Sequence, residues 1–157
     1  MKKVIFGMLL LSASSALASV EQFAGTYRLA SSQVEGDTFC FESFTIEVDG
    51  NEASFNREGY TIYSGEVNGP KRKVSYSHGE ALSSTKGHEQ VTLEKGVLSF
   101  QFKGTSSFVG VPATREESTI SMKLSQDGSK LTLLRKEFEG VAFGIGKKAA
   151  ASCQYTR

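Results

Sequence analysis

The sequence predicts an all-β protein, a single antiparallel up-and-down β-barrel of about eight to ten strands closed by one disulfide. Three observations lead to this fold class. Short stretches alternate apolar and polar residues with a period of two, glycine-containing turns separate them, and no long stretch shows the 3.6-residue apolar period of a helix. Regularly spaced short strands joined by tight turns are typical of antiparallel barrels and sandwiches.

The first residues have the layout of a cleavable secretory signal. Two lysines near the start precede an apolar run over residues 4–11, and Ala-Leu-Ala stands directly before Ser19 as a cleavage site. The run is far shorter than the roughly 20 residues that span a bilayer, so no membrane anchor is expected. We therefore expect residues 1–18 to be removed, and residues 19–157 to form one domain in the periplasm or outside the cell.

The charge of the mature chain is nearly balanced. Without the signal, 16 lysines and arginines stand against 17 acidic residues in 139 residues, a length that suits one domain. A net charge near −1 gives no general attraction for nucleic acid or anionic lipid. The basic cluster PKRK at 70–73 follows Asn-Gly and is typical of a solvated turn, so no nucleic-acid partner is expected.

Three β-hairpins are predicted from the turns between alternating stretches. DGNE separates FTIEV from ASF, KG separates VTLE from VLSFQF, and QDGS separates ISMKLS from KLTLLRKEF. Each turn contains a glycine, which adopts the positive backbone angles that tight hairpins require. Further strands are predicted in GTYRLAS, YTIYSGEV, KVSYSH and AAASCQYT.

The two cysteines lie near opposite ends of the mature chain. Cys40 follows the first predicted strand, and Cys153 lies in the last. In an exported protein two cysteines most simply form one disulfide, because the compartment is oxidising. A barrel places its last strand beside its first, so a bridge between these regions is what closure would permit. A redox-active pair usually has C-x-x-C spacing, which these cysteines lack.

Several motifs of enzymes and cofactor-binding proteins are matched only in part. HEQVT at 88–92 has threonine where the zinc motif H-E-x-x-H needs its second histidine. SSTK at 83–86 fits S-x-x-K, but the companion motifs of that chemistry are absent. GVAFGIGKK at 140–148 departs from the phosphate-binding loop at two positions. We therefore expect no catalytic residue, no metal site, no cofactor and no enzymatic activity.

The stretch FAGTYRL, directly behind the signal, resembles the opening strand of lipocalins and related calycin barrels, where Gly-x-Trp begins the first strand. In those barrels the aromatic ring closes one end and stacks under a basic residue from the last strand. Gly25 and Tyr27 match this pattern, with tyrosine in place of tryptophan. The resemblance implies that Tyr27 is a structural plug at one barrel end, and that Arg157, or the Lys147 and Lys148 pair, supplies the basic partner.

The resemblance also implies a cavity for a small apolar ligand inside the barrel. The inward strand faces supply side chains that would line it: Phe44, Ile46, Phe55, Phe100, Phe102 and Met122. A filled core is the alternative, since the same residues would pack equally well against one another. The strand tyrosines Tyr60, Tyr63 and Tyr76 are the expected polar anchors of such a ligand.

A second segment, SSTKGHE at 83–89, is similar to the TKG-containing loop of C-type lysozyme inhibitors, small periplasmic β-barrels with a C-terminal cysteine. By this similarity, the loop around Lys86 would bind an envelope protein, and Lys86 would reach the carboxylates of a partner enzyme. Three functions therefore remain open: a carrier or sensor of a small hydrophobic molecule, a protein-binding module, and a structural barrel with a filled core. The first is the function that we expect.

Overall fold

A computed structural model describes residues 19–78, 83–108, 111–140 and 145–157. A short 3₁₀ helix (Val20–Phe23) precedes ten β-strands. The strands are β1 (Gly25–Glu35), β2 (Ser43–Asp49), β3 (Glu52–Arg57), β4 (Tyr60–Glu66), β5 (Arg72–His78), β6 (Ser83–Glu94), β7 (Val97–Phe108), β8 (Val111–Leu124), β9 (Lys130–Gly140) and β10 (Gly146–Thr156). No helix in these ranges is long and apolar enough to cross a bilayer. The predicted signal peptide lies outside the described residues.

The ten strands form one sheet in the order β4-β3-β2-β1-β10-β9-β8-β7-β6-β5, with every neighbouring pair antiparallel. The first and last strands are hydrogen-bonded neighbours, as predicted. The sheet curls until Val67, directly after β4, pairs with Val91 of β6, and the amide of Asn68 donates to the Val91 carbonyl at 2.9 Å. The chain thus forms a nearly closed up-and-down barrel, which is compatible with a calycin-like architecture.

The three hairpins predicted from the sequence are present as β2–β3, β6–β7 and β8–β9. Their turn glycines Gly50, Gly96 and Gly128 have φ angles of 58°, 74° and 70°. Glycine adopts such angles without the steric cost that a Cβ imposes. In the two-residue β6–β7 turn, Lys95 also has a positive φ of 51°, which is the pattern of a type I′ hairpin turn.

The inward face of the barrel changes from apolar to charged along its axis. Residues opposite each other on neighbouring strands share a face, so the register defines four rows across β7 to β10. In order, these rows are Leu98-Met122-Leu133-Cys153, Phe100-Ile120-Arg135-Ala151, Phe102-Ser118-Glu137-Ala149 and Gly104-Glu116-Glu139-Lys147. The first two rows belong mostly to a packed core, whereas the last two lie at the open end, which we call the mouth.

The end opposite the mouth is closed by the 3₁₀ helix and by aromatic side chains. Phe23 and Tyr27 are buried, and the Tyr27 hydroxyl donates to the Phe23 carbonyl at 2.8 Å. The ring of Tyr27 stacks on Phe44 with 5.2 Å between centroids, and Phe44 stacks on Phe55 at 4.7 Å. This half of the barrel is therefore filled by its own side chains.

The predicted disulfide joins Cys40 and Cys153, whose Cα atoms are 5.9 Å apart. Cys153 is fully buried on the inward face of β10. Cys40 lies in the β1–β2 connection, residues 36–42, which we call the mouth segment. The bridge therefore ties the mouth segment to the inner wall of the barrel. The gap in the barrel wall lies elsewhere, between the edge strands β4 and β5.

Candidate functional site

The mouth contains a cavity of about 760 Å³, which we call the mouth cavity. Four aromatic side chains, Phe39, Tyr63, Phe102 and Phe138, contribute to its walls. Most of the remaining lining is charged or hydroxylated: Asp37, Glu116, Glu117, Ser118, Arg135, Glu137, Glu139, Lys147 and Lys148. The volume lies within the range of small-molecule sites, and such sites combine apolar walls with a few polar groups.

Phe102 becomes a wall of the mouth cavity because two glycines make room for its ring. Gly87 of β6 and Gly104 of β7 are register partners on the inward face. A Cβ atom at Gly104 would lie 2.4 Å from Phe102 Cζ, and one at Gly87 would lie 2.7 Å from Phe102 Cε2. The ring therefore covers bare backbone, a common use of glycine within strands.

The mouth segment places Phe39 and Phe41 between two arginines. The Arg135 guanidinium carbon lies 4.4 Å from the Phe39 ring centroid and 4.8 Å from that of Phe41. The Arg57 guanidinium carbon lies 5.4 Å from the Phe39 ring centroid and 5.2 Å from that of Phe41. A guanidinium at these distances is attracted by the face of an aromatic ring, so both cations hold the segment in position.

Hydrogen bonds to β9 fix the same segment. Arg135 Nη1 donates to the Phe39 carbonyl at 3.3 Å, and Thr38 Oγ1 donates to Glu137 Oε2 at 2.6 Å. Arg135 Nη2 also donates to Glu137 Oε1 at 2.5 Å. Only 13% of the Arg135 side chain is exposed, so its charge lies largely within the barrel, paired with Glu137. The paired side chains of Arg135 and Glu137 thus hold the mouth segment against β9.

Tyr63 crosses the barrel interior from β4 to β8. Its hydroxyl donates to Ser118 Oγ at 3.1 Å, and both residues line the mouth cavity. Burial raises the pKa of the Tyr63 phenol, because the phenolate would lose its hydration. The phenol therefore stays neutral at ordinary pH, and the two hydroxyls offer a hydrogen-bonding position in the cavity wall.

A buried carboxylate lies on the wall beside the gap. Glu89 of β6 is only 3% exposed and accepts from Arg72 Nη2 at 2.7 Å and from the Tyr76 hydroxyl. Arg72 Nη2 also donates to Ser64 Oγ of β4 at 3.1 Å, so this side chain links β4 to β6 across the gap. Burial, and then the bond to Glu89, raise the pKa of Tyr76 to about 12. These partners compensate the cost of burying a charge.

The structure separates the six predicted ligand-lining residues into two groups. Phe102 lines the mouth cavity. The other five have exposed fractions of 2% or less and belong to the packed core: Phe44, Ile46, Phe55, Phe100 and Met122. They form the floor under the cavity, and their role as ligand contacts stays a prediction.

The three tyrosines expected as polar anchors have different environments. Tyr63 lines the mouth cavity, and Tyr76 contacts Glu89 beside the gap. Tyr60 is 74% exposed on the edge strand β4. Of the three, Tyr63 alone lines the mouth cavity in the described structure, and its role as an anchor of a ligand stays a prediction.

The structure also shows where the predicted aromatic plug and the segment around Lys86 lie. Tyr27 is fully buried at the closed end, and the basic side chain over its ring is Arg157, whereas Lys147 and Lys148 lie at the mouth. Lys86 is exposed on strand β6, and all of the segment 83–89 that was expected to form a loop is part of this strand, so the prediction of a loop was wrong.

Sequence reasoning missed Phe39, Arg135, Glu137 and Glu89 as site residues. A signal for Arg135 and Glu137 was present, because they continue the inward phase of the alternation that begins at Leu131. An inward position occupied by a charge marks the point where the apolar core ends. Phe39 lies outside any alternating stretch, so its position depends on the fold of the mouth segment.

Comparison with known proteins does not assign the chain to a family. No family model, no curated protein and no solved structure matches it.

Proposed function

We propose that the protein is an exported, non-catalytic binding protein that carries or senses one small molecule in its mouth cavity. The observation that supports this proposal is a cavity of about 760 Å³ with aromatic walls, set above a floor of packed side chains. The ligand has a largely apolar body and a small polar group. It is bound and released without chemical change.

The aromatic walls supply part of the affinity. Contact with about 200 Å² of apolar surface contributes roughly 5 kcal/mol before the losses of association. Micromolar binding requires about 8 kcal/mol, so polar contacts must add to it. The hydroxyls of Tyr63 and Ser118 are suited to a carbonyl or hydroxyl group of the ligand.

The charges around the mouth limit the ligand's own charge. Arg135 already pairs with Glu137, and Glu117 pairs with Lys103 and Arg115. The remaining charges of the lining are Asp37, Glu116 and Glu139 beside Lys147 and Lys148. An anion or a cation would meet like charges as well as opposite ones. We therefore expect an uncharged or zwitterionic molecule.

The proposed location is the periplasm or the extracellular space. The disulfide is compatible with an oxidising compartment, and the sequence predicts a secretory signal. The pairing of a buried Tyr27 with Arg157 adds to the resemblance to lipocalin-like barrels, many of which carry small apolar molecules. This resemblance supports a carrier more than a structural barrel.

Titration of the mature protein with the neutral fluorescent probe N-phenyl-1-naphthylamine tests the proposal. We expect a fluorescence increase that saturates. Phe39→Ala should weaken binding about tenfold, because it removes one aromatic wall while the core stays intact. Tyr60→Ala is the matched control, since it removes an exposed ring outside the cavity, and it should leave the affinity unchanged.

A second variant separates blocked binding from unfolding. Ala149 lines the cavity on the inward face of β10, so Ala149→Phe should fill it and abolish binding while the strand content by circular dichroism is kept. Phe100→Asp is unsuitable, because Phe100 is fully buried in the core. Absence of binding by neutral, zwitterionic, anionic and cationic apolar probes alike would contradict the proposal.

A further inference from the structure

The outer wall of strands β5 to β8 carries a concentration of positive charge. Lys73, His88 and Lys103 are register neighbours on β5, β6 and β7, and Lys86 lies one outward position further along β6. Arg115 of β8 lies in the same row as Lys86, with Thr105 between them. We call this surface, formed by Lys73, Lys86, His88, Lys103 and Arg115, the basic face.

The basic face is concave, and the described residues that line it include no acidic side chain. A surface cavity of about 640 Å³ lies against all five of its residues, and none of the residues lining this cavity is Asp or Glu. Glu117 borders the face and pairs with Lys103 at 3.4 Å and with Arg115. Within the described ranges Lys73 and Lys86 form no ion pair. In a chain whose positive and negative charges nearly balance overall, this local excess favours a negatively charged partner.

The same surface ends at a free edge of the sheet. β5 is the last strand in the sheet order, so within the part of the chain that the structure describes no strand neighbours the backbone groups along its outer side. Such an edge can accept an additional strand from another chain. An edge lysine such as Lys73 commonly protects against unwanted pairing. That explanation does not extend to Lys86, Lys103 and Arg115, which lie on the interior strands β6, β7 and β8.

We propose that the basic face and the β5 edge together bind an extended acidic segment of a partner protein. The segment adds to the sheet as a strand beside β5, and its acidic side chains on the outer face lie next to Lys73 and within reach of Lys86. Backbone hydrogen bonds then fix the register, whereas the cations select the sign of the charge. The basic face lies on the outside of the barrel and the β5 edge borders the gap beside β4, and the cavity on the basic face shares no lining residue with the mouth cavity. The proposal is therefore independent of a ligand in the mouth cavity.

The test uses the mature protein and a fluorescent peptide of about eight alternating Glu and Thr residues, a length that matches an ordinary strand. We expect saturable binding by fluorescence anisotropy that weakens as salt rises from about 0.05 to 0.5 M. Lys86→Glu and Lys73→Glu should each weaken binding at least tenfold. Lys130→Glu makes the same charge change at the closed end of the barrel and should leave the affinity unchanged.

Two further binding measurements distinguish strand addition from simple charge attraction. The same peptide with alternate backbone nitrogens methylated should lose binding, because it cannot pair with β5. Equal binding of the methylated peptide would overturn the proposal, and so would binding that Lys86→Glu and Lys73→Glu leave unchanged. Selective binding of heparin or of phosphatidylglycerol vesicles through Lys86, without peptide binding, would also overturn it. An unchanged circular dichroism spectrum and an unchanged urea midpoint show that the Lys86→Glu and Lys73→Glu variants are folded, whether or not the mouth cavity binds a ligand.

Discussion

Arg157 lies over the ring of Tyr27. Its guanidinium carbon is 5.4 Å from the ring centroid, and its Nη2 is 2.9 Å from the Tyr27 hydroxyl oxygen. The same nitrogen contacts the carbonyl oxygens of Gln22 and Ala24. The last residue of the chain thereby joins the first strand and the segment before it, and one side chain completes the closed end of the barrel.

Tyr27→Ala should lower the free energy of unfolding by about 3 to 5 kcal/mol, because it removes a fully buried aromatic ring. Tyr27→Phe should cost only about 1 kcal/mol, since it loses hydrogen bonds but keeps the ring. Urea unfolding of the purified variants measures both values. Tyr60→Ala, at an exposed position, is the control. If Tyr27→Ala lowered the free energy of unfolding no more than Tyr60→Ala does, the structural role of the Tyr27 ring would be contradicted.

Removing the disulfide should destabilise the protein without changing its strands. The bridge closes a separation of 113 residues, for which the loop-entropy model gives about 4 to 5 kcal/mol. We expect the Cys40→Ala, Cys153→Ala double variant to show this loss in urea unfolding and an unchanged strand content by circular dichroism. Intact mass before and after reduction and alkylation shows whether Cys40 and Cys153 form the disulfide. Two free thiols in protein taken from an oxidising compartment would contradict it.

Gly104→Ala should cost about 1 to 3 kcal/mol, because the added Cβ would lie 2.4 Å from Phe102 Cζ and 2.6 Å from the Lys86 carbonyl oxygen. Part of this cost arises from the ring, so Phe102→Leu should reduce it. A double-mutant cycle over Gly104→Ala and Phe102→Leu should therefore show coupling of at least about 0.5 kcal/mol. Additive effects would mean that the ring does not depend on the glycine.

Alkaline pH should destabilise the barrel between about pH 10 and 12. Burial raises the pKa of Tyr155 to about 12, and Tyr63 and Tyr76 shift in the same direction. Because these phenols ionise near pH 10 when unfolded, their contribution is complete below pH 10 and is lost as pH rises towards 12. Urea unfolding as a function of pH measures this slope. Tyr155→Phe should flatten it, whereas the same slope in that variant would contradict the assignment.

The strands and their order were predictable because their signals are local. Alternation and glycine turns lie within a few residues of each other, and an up-and-down order follows when successive hairpins pair. The gap between β4 and β5 was not predictable, because it depends on the distant pairing of Val67 with Val91. The strand β6 was also missed in part, since its first half is polar on both faces and gives no apolar alternation.

Of the candidate site, the sequence predicts only the inward apolar positions that continue from the packed core. Phe102 follows the inward phase set by Phe100, and both were identified as inward residues. The transition from core to cavity occurs between them, where Arg135 and Ser118 occupy inward positions. Whether apolar residues fill a barrel or line a cavity depends on how side chains from different strands meet. That information is not contained in any single strand.

The position of Cys40 couples the oxidation state of the two cysteines to the shape of the mouth cavity. Phe39, its neighbour in the chain, forms one wall, and the bridge to Cys153 restricts where that wall can lie. We therefore expect the proposed ligand, through its contact with Phe39, to bind the oxidised protein more tightly than the reduced protein. By thermodynamic reciprocity, such a ligand should shift the thiol–disulfide equilibrium towards the disulfide and make the bridge harder to reduce.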